Sequence, residues 1–187
     1  AFENTDTLSA RTLGRADRTS TATMPHRVYV SLGSNLGDRK ANLREAEERL
    51  VQLPHTRIVK ASSLYESEPH GNAKTWFINS VLELETEFTP EELLKRTRAI
   101  EATMGRKRVK GKRWGSRIID IDLLLLDNQT VNKRTLKIPH PEMHKRRFVL
   151  LPLAELAPHV THPHLGVSMS ELLGGLKDFK KVMLTRP

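Results

Sequence analysis

The chain contains no cysteine. That excludes a disulfide framework and any thiolate metal site, and it fits a reducing, cytoplasmic setting. Aromatic residues make up only 5% of the 187 positions. A sheet surface built to stack several RNA bases wants more than that. No apolar run approaches the ~18 residues that a membrane-crossing helix needs, and no signal-peptide pattern is seen. The glycine-rich phosphate motifs are missing too. Gly71-Asn72-Ala73-Lys74-Thr75 ends like a P-loop but lacks the glycine before the lysine, and no Gly-x-Gly-x-x-Gly occurs. If this chain holds ATP, it does so without a P-loop.

What is there is a strong but local positive charge. The formal net charge is +9. Seven basic residues and no acids lie between Arg106 and Arg117, and without them the balance is +2. A local patch suits a polyphosphate pocket at least as well as a nucleic-acid groove.

The length predicts one domain. Residues 1–25 are rich in Thr, Ser, Ala and Arg and show no period, so they are expected to be a disordered extension or leader. The folded domain is expected over 26–175, and a C-terminal tail over 176–187. Arg27 to Gly33 reads as a strand, with Val28 and Val30 on one side and Tyr29 on the other. Asp38 is placed to cap a helix from Arg39 to Leu53. Strands are expected over Arg57–Tyr65 and Trp76–Phe88, with a loop between them. Thr89-Pro90-Glu91-Glu92 is a helix start with a reciprocal cap, and Gly105 is placed for its left-handed end. A fourth strand is expected over Arg117–Leu126. A helix near Phe148–Leu156 and a short one from Ser168 complete the reading. The order β-α-β-β-α-β predicts an α+β, ferredoxin-like fold, an antiparallel sheet with helices on one face.

Asp120 and Asp122 are two apart on the fourth strand. Period-two geometry sends both carboxylates to one face, with Cα atoms roughly 6.5 Å apart. Two carboxylates that close repel unless protonated or bridged by cations. Mg²⁺ favours a few carboxylates plus phosphate oxygens. A bare Asp-x-Asp is more often a solvated strand face, but the adjacent Arg113 and Arg117 change its context. Guanidinium groups match phosphate oxygens, and phosphoryl transfer depends mainly on position and electrostatics. Trp114 is either core or a ring that stacks on a planar ligand. Phe77 and Asn79 share a face of the third strand, where a ring and an amide would suit a heterocycle. His159, His162 and His164 have no partner carboxylate at ligand spacing, so no metal role is assigned to them.

Together these segments resemble the 6-hydroxymethyl-7,8-dihydropterin pyrophosphokinase family. The resemblance covers about Arg27 to Leu173. It rests first on Arg113-Trp114-Gly115 with Arg117, Asp120 and Asp122. Supporting blocks are Ser31-Leu32-Gly33-Ser34-Asn35, Ser63 to Pro69, Phe77-Ile78-Asn79, Glu101 with Gly105-Arg106, and Pro139-His140-Pro141 followed by Arg146-Arg147-Phe148. It implies transfer of the terminal diphosphate of ATP to the pterin hydroxymethyl group, releasing AMP, in folate biosynthesis. It implies two Mg²⁺ ions on Asp120 and Asp122, with Arg106 and Arg117 acting catalytically on the phosphates. It places Arg108, Arg113, Arg117, Leu123, His140 and Arg146 near ATP. It places Ser67, Glu68, His70, Phe77, Asn79, Trp114 and Phe148 around the pterin. His70 departs from the family pattern, where an apolar residue is usual. A small-molecule substrate, no nucleic acid and no membrane are expected; the oligomeric state is open, with a monomer favoured. The rivals are a ferredoxin-like RNA-binding module and a different metal-dependent nucleotidyltransferase.

Overall fold

The computed structural model describes residues 24–69, 74–106 and 115–185. Strand β1 (His26–Ser34) leads to helix α1 (Arg39–Val51), then to β2 (Thr56–Ala61), β3 (Tyr65–Ser67) and β4 (Phe77–Thr86). Helix α2 (Pro90–Thr103) and strand β5 (Asp120–Leu126) follow. The rest is a small β6–β7 hairpin (Val131–Lys133, Leu136–Ile138), helices α3 (Arg147–Leu156) and α4 (Met169–Gly174), and strand β8 (Val182–Leu184). The main sheet is antiparallel, in the order β5-β1-β4-β3-β8, with β2 also on β4. This is the expected ferredoxin-like arrangement. Each β-α-β unit is split by one strand of the other.

Local chemistry sets both helix starts. The Asp38 side chain accepts from the Ala41 N–H at 3.0 Å. Thr89 and Glu92 form a full capping box ahead of Pro90, which satisfies donors that would otherwise be orphaned. Gly105 ends α2 at φ +88°, a conformation that L side chains rarely adopt.

The alternation along the strands divides two cores. Val28, Val30, Leu32, Ile78, Leu82 and Leu84 face α1 and α2, against Leu43, Leu50, Leu93 and Ile100. Tyr29, Val81 and Leu125 face the other way, where they meet Val149, Leu150 and Leu153 of α3 and Met169 of α4. The two helices of the βαββαβ unit do share one face, as expected. The later pair covers part of the second face, so the sheet is not an open platform there.

Several boundaries differ from the sequence reading. The second strand breaks at 62–64 and resumes as β3, because the Ser62 hydroxyl takes the Val81 N–H in place of a ladder bond. Strand β5 starts at Asp120, since Arg117 is held by Asn35 instead of by β1. A bulge in β5 leaves Leu124 without a partner in β1, so Leu124 and Leu125 both face the second core. The stretch read as a tail contains β8, an edge strand paired with β3.

Candidate active site

The register of the sheet lays out the site. Gly33 pairs with Asn79 on one side and with Asp120 on the other. Asn79, Gly33 and Asp120 therefore form one row across three strands. Adjacent strands lie about 4.8 Å apart, which puts the ends of the row roughly 10 Å apart. The middle position has no side chain. A Cβ there would sit 3.2 Å from Asn79 Oδ1 and 3.8 Å from the Phe77 ring.

Above this row is a cavity of about 640 Å³. Asp120, Asp122, Arg117, His140 and Arg146 line one part of it, and Ser67, Glu68, Phe77, Asn79 and Phe148 another. Ten of the residues expected from the sequence therefore share one hollow. The β5 bulge falls after Leu123, so it leaves Asp120 and Asp122 on the same face. Leu123, expected beside ATP, has its side chain in the helix-side core and does not line the cavity. The expectations for His70, Arg108, Arg113 and Trp114 fall outside the described residues.

The acidic end is tightly paired. Asp120 Oδ1 meets Arg106 Nη1 at 2.5 Å, and Asp120 Oδ2 pairs with Arg117. Burial pushes the Asp122 carboxyl up to about 7, helped by the negative charges of Asp120 and Glu101 and opposed by Arg106 and Arg146. A buried carboxylate beside another is costly until a cation or a proton arrives. Among the described residues no group of three or more His, Asp or Glu could hold a metal ion. Among the described residues, then, the pair is not completed into a protein cage. It suits a hard ion that keeps water and phosphate ligands, as Mg²⁺ does.

His140 is held neutral. Burial, then the Arg146 charge, lowers it to about 4. The Glu142 N–H donates to its Nδ1 at 3.2 Å. The neutral ring thus carries its proton on Nε2, as a donor suited to an anionic oxygen.

At the other end, Asn79 Nδ2 donates to Ser67 Oγ at 2.8 Å. That bond fixes the amide plane, and Oδ1 is the atom nearest to where a Gly33 side chain would be. The Arg146 guanidinium stands 5.9 Å from the Phe148 ring centroid, within reach of a cation–π contact.

Two organising residues were quoted in sequence blocks without a role. Glu101 is 1% exposed, pairs with Arg106, and accepts the Ile121 N–H at 2.8 Å. It holds an arginine and the start of β5 together. Its signal was an acid four residues beyond Thr97 on the inward stripe of α2. Asn35 is 2% exposed. Its Oδ1 accepts the Arg117 N–H at 2.6 Å, and its Nδ2 donates to Thr75 Oγ1 at 3.0 Å. No local pattern in the sequence marks it.

A ferredoxin-like domain with paired carboxylates and guanidiniums at one end of a hollow, and a ring and a fixed amide at the other, is the frame of a phosphate-transferring enzyme. The comparisons make this specific. The model of the 7,8-dihydro-6-hydroxymethylpterin-pyrophosphokinase family matches residues 29–158, and the chain belongs to that family. A protein of Pseudomonas aeruginosa is 44% identical over 151 residues, covering 80% of this chain and 91% of that one. One from Methylorubrum extorquens is also 44% identical, over 71% of this chain and 83% of its own. One from Haemophilus influenzae is 38% identical, over 84% and 97%. All three are named 2-amino-4-hydroxy-6-hydroxymethyldihydropteridine pyrophosphokinase. Among solved structures, Plasmodium falciparum HPPK-DHPS with pteroate superposes with a TM-score of 0.65 at 16% identity. That match covers 80% of this chain and 44% of that one, and it bears on the fold alone.

Proposed function

We propose that this chain transfers the terminal diphosphate of ATP to the hydroxymethyl group of 6-hydroxymethyl-7,8-dihydropterin. The products are AMP and the pterin diphosphate ester, in folate biosynthesis. The observation that carries this reading is the row Asn79–Gly33–Asp120. It sets a heterocycle end and a phosphate end roughly 10 Å apart, with a residue that has no side chain between them in the row. The names of the relatives at 38–44% identity point the same way.

In this reading Ser67, Glu68, Phe77, Asn79 and Phe148 receive the pterin, together with His70 and Trp114. The fixed Asn79 amide selects its polar edge. Arg117, His140 and Arg146 receive ATP, together with Arg108 and Arg113, and Leu123 backs the floor from the core. Asp120 and Asp122 would hold two Mg²⁺ ions, which would supply shielding of the triphosphate charge. Arg106 and Arg117 neutralise Asp120 here. In the reaction their guanidiniums serve the charge that builds on the transferring group. The hollow positions the hydroxymethyl oxygen for attack on the β-phosphorus, and effective concentration supplies much of the rate. No general base is assigned.

Replacing Asp120 or Asp122 with Ala tests the metal assignment. Either change is expected to abolish turnover and to remove the Mg²⁺ requirement for tight ATP binding. Activity that survives both would refute it.

A further inference from the structure

The strap of residues 178–185 ties together the two walls of the cavity. It lies beyond residue 158, where the match to the family model ends. On one side it borders the wall that carries Ser67 and Glu68. Strand β8 pairs with β3, register Ser67 to Val182. Just past the ladder, the Glu68 N–H donates to the Lys181 carbonyl at 3.0 Å, and the Lys181 N–H donates to Glu68 Oε2 at 2.9 Å. Lys180 Nζ reaches the Pro69 carbonyl at 2.6 Å.

On the other side the strap reaches the start of α3. Asp178 Oδ2 accepts the Arg147 N–H at 2.9 Å, and its Oδ1 accepts the Lys180 N–H at 3.2 Å. Helix α3 has no side-chain cap from Arg146, its own N-cap residue. Asp178 takes that part from a distant point in the chain, and a carboxylate is favoured at a helix N-terminus. The residues on either side of Arg147 are Arg146 and Phe148, and both line the cavity.

We infer that Asp178 is a positioning residue for the pterin site. One carboxylate holds the first turn of α3, which presents Arg146 and Phe148, and also the strap that holds Glu68. Asp178 does not itself line the cavity. The inference rests on the diphosphotransfer reading above. The pterin end draws on both walls and the nucleotide end on only one, so loss of Asp178 affects the two ligands unequally.

The test uses the full chain with Asp178→Ala, Asp178→Asn and Lys180→Met. Two quantities are read: the Kd values of the dihydropterin alcohol and of a non-hydrolysable ATP analogue with Mg²⁺, and amide exchange at Glu68 and Arg147 without ligand. Asp178→Ala is expected to weaken pterin binding by about fivefold, the usual size of a lost cap, with a smaller loss of about twofold for the nucleotide, which meets this turn only through Arg146. Exchange at Glu68 quickens, although Glu68 is on the opposite wall. Asp178→Asn keeps one acceptor, enough for the Arg147 N–H or the Lys180 N–H but not both, and recovers only part of the affinity. Lys180→Met weakens pterin binding less, in the same direction, and carries the test if Asp178→Ala does not fold. Unchanged pterin affinity, equal loss for both ligands, or an Asp178→Asn protein as impaired as the alanine variant overturns the inference. If the unaltered protein does not bind the pterin, the diphosphotransfer reading fails, and exchange at Glu68 alone decides the coupling.

Discussion

Asn35 Oδ1 accepts the backbone N–H of Arg117 at 2.6 Å, across 82 positions of sequence. The Asn35 N–H in turn donates to the Arg117 carbonyl at 3.1 Å. Asn35 thereby fixes, through its side-chain amide and its own backbone N–H, the backbone that carries an active-site guanidinium. Its Nδ2 donates to Thr75 Oγ1, so the approach to Phe77 and Asn79 is pinned from the same point. Asn35→Ala leaves buried groups unsatisfied, which costs about 1–3 kcal/mol of stability. It also loosens Arg117, whose N–H loses its acceptor while its carbonyl keeps the backbone N–H of residue 35. Turnover is expected to drop by about 100-fold, because small misplacements near the reacting centre have effects of that size. Thermal melting and a turnover assay read the two effects. Full activity in the variant contradicts the role.

Gly33→Ala addresses the centre of the row. The new Cβ meets Asn79 Oδ1 at 3.2 Å, so the amide must give by a few tenths of an ångström. The glycine has an ordinary φ, so the backbone tolerates the change. Pterin affinity is expected to fall by about tenfold while the fold persists. Equilibrium binding measures it, and an unchanged Kd removes Gly33 from the site.

His140 gives a pH dependence with a definite sign. Its folded pKa, about 4, is below the ordinary value of 6.5. The unfolded chain therefore takes up a proton near pH 6.5 that the folded chain refuses until about pH 4. This contribution to stability is present above pH 6.5 and is lost as the pH falls towards 4. Burial and Arg146 lower the pKa, while Glu142 and Asp120 oppose them. His140→Gln carries no titrating ring. Urea denaturation at pH 7.5 and pH 5 is expected to show a smaller loss in the variant, by on the order of 1 kcal/mol. An equal loss in both proteins excludes His140 as a source of the acid sensitivity.

The sequence disclosed what local chemistry decides. The α2 boundary was legible because Thr89, Pro90, Glu92 and Gly105 act within a few residues of themselves. The two faces of β1 and β4 were legible because alternation needs no partner. Asp120 and Asp122 were assigned to one face for the same reason. Had the β5 bulge fallen between them instead of after Leu123, that reading would have been wrong. What escaped depends on pairing across the chain. Strand β8 is three residues long and exists because β3 offers it an edge. Asn35 and Asp178 act through partners 82 and 31 positions away. No window of sequence contains those partners together.

The central claim is diphosphate transfer to a pterin, and the fate of the nucleotide tests it most directly. The full chain is incubated with ATP, Mg²⁺ and 6-hydroxymethyl-7,8-dihydropterin, and the nucleotide products are resolved. The account predicts AMP, formed one for one with the pterin diphosphate and only when the pterin is present. ADP as the product, or AMP released without the pterin, would contradict it.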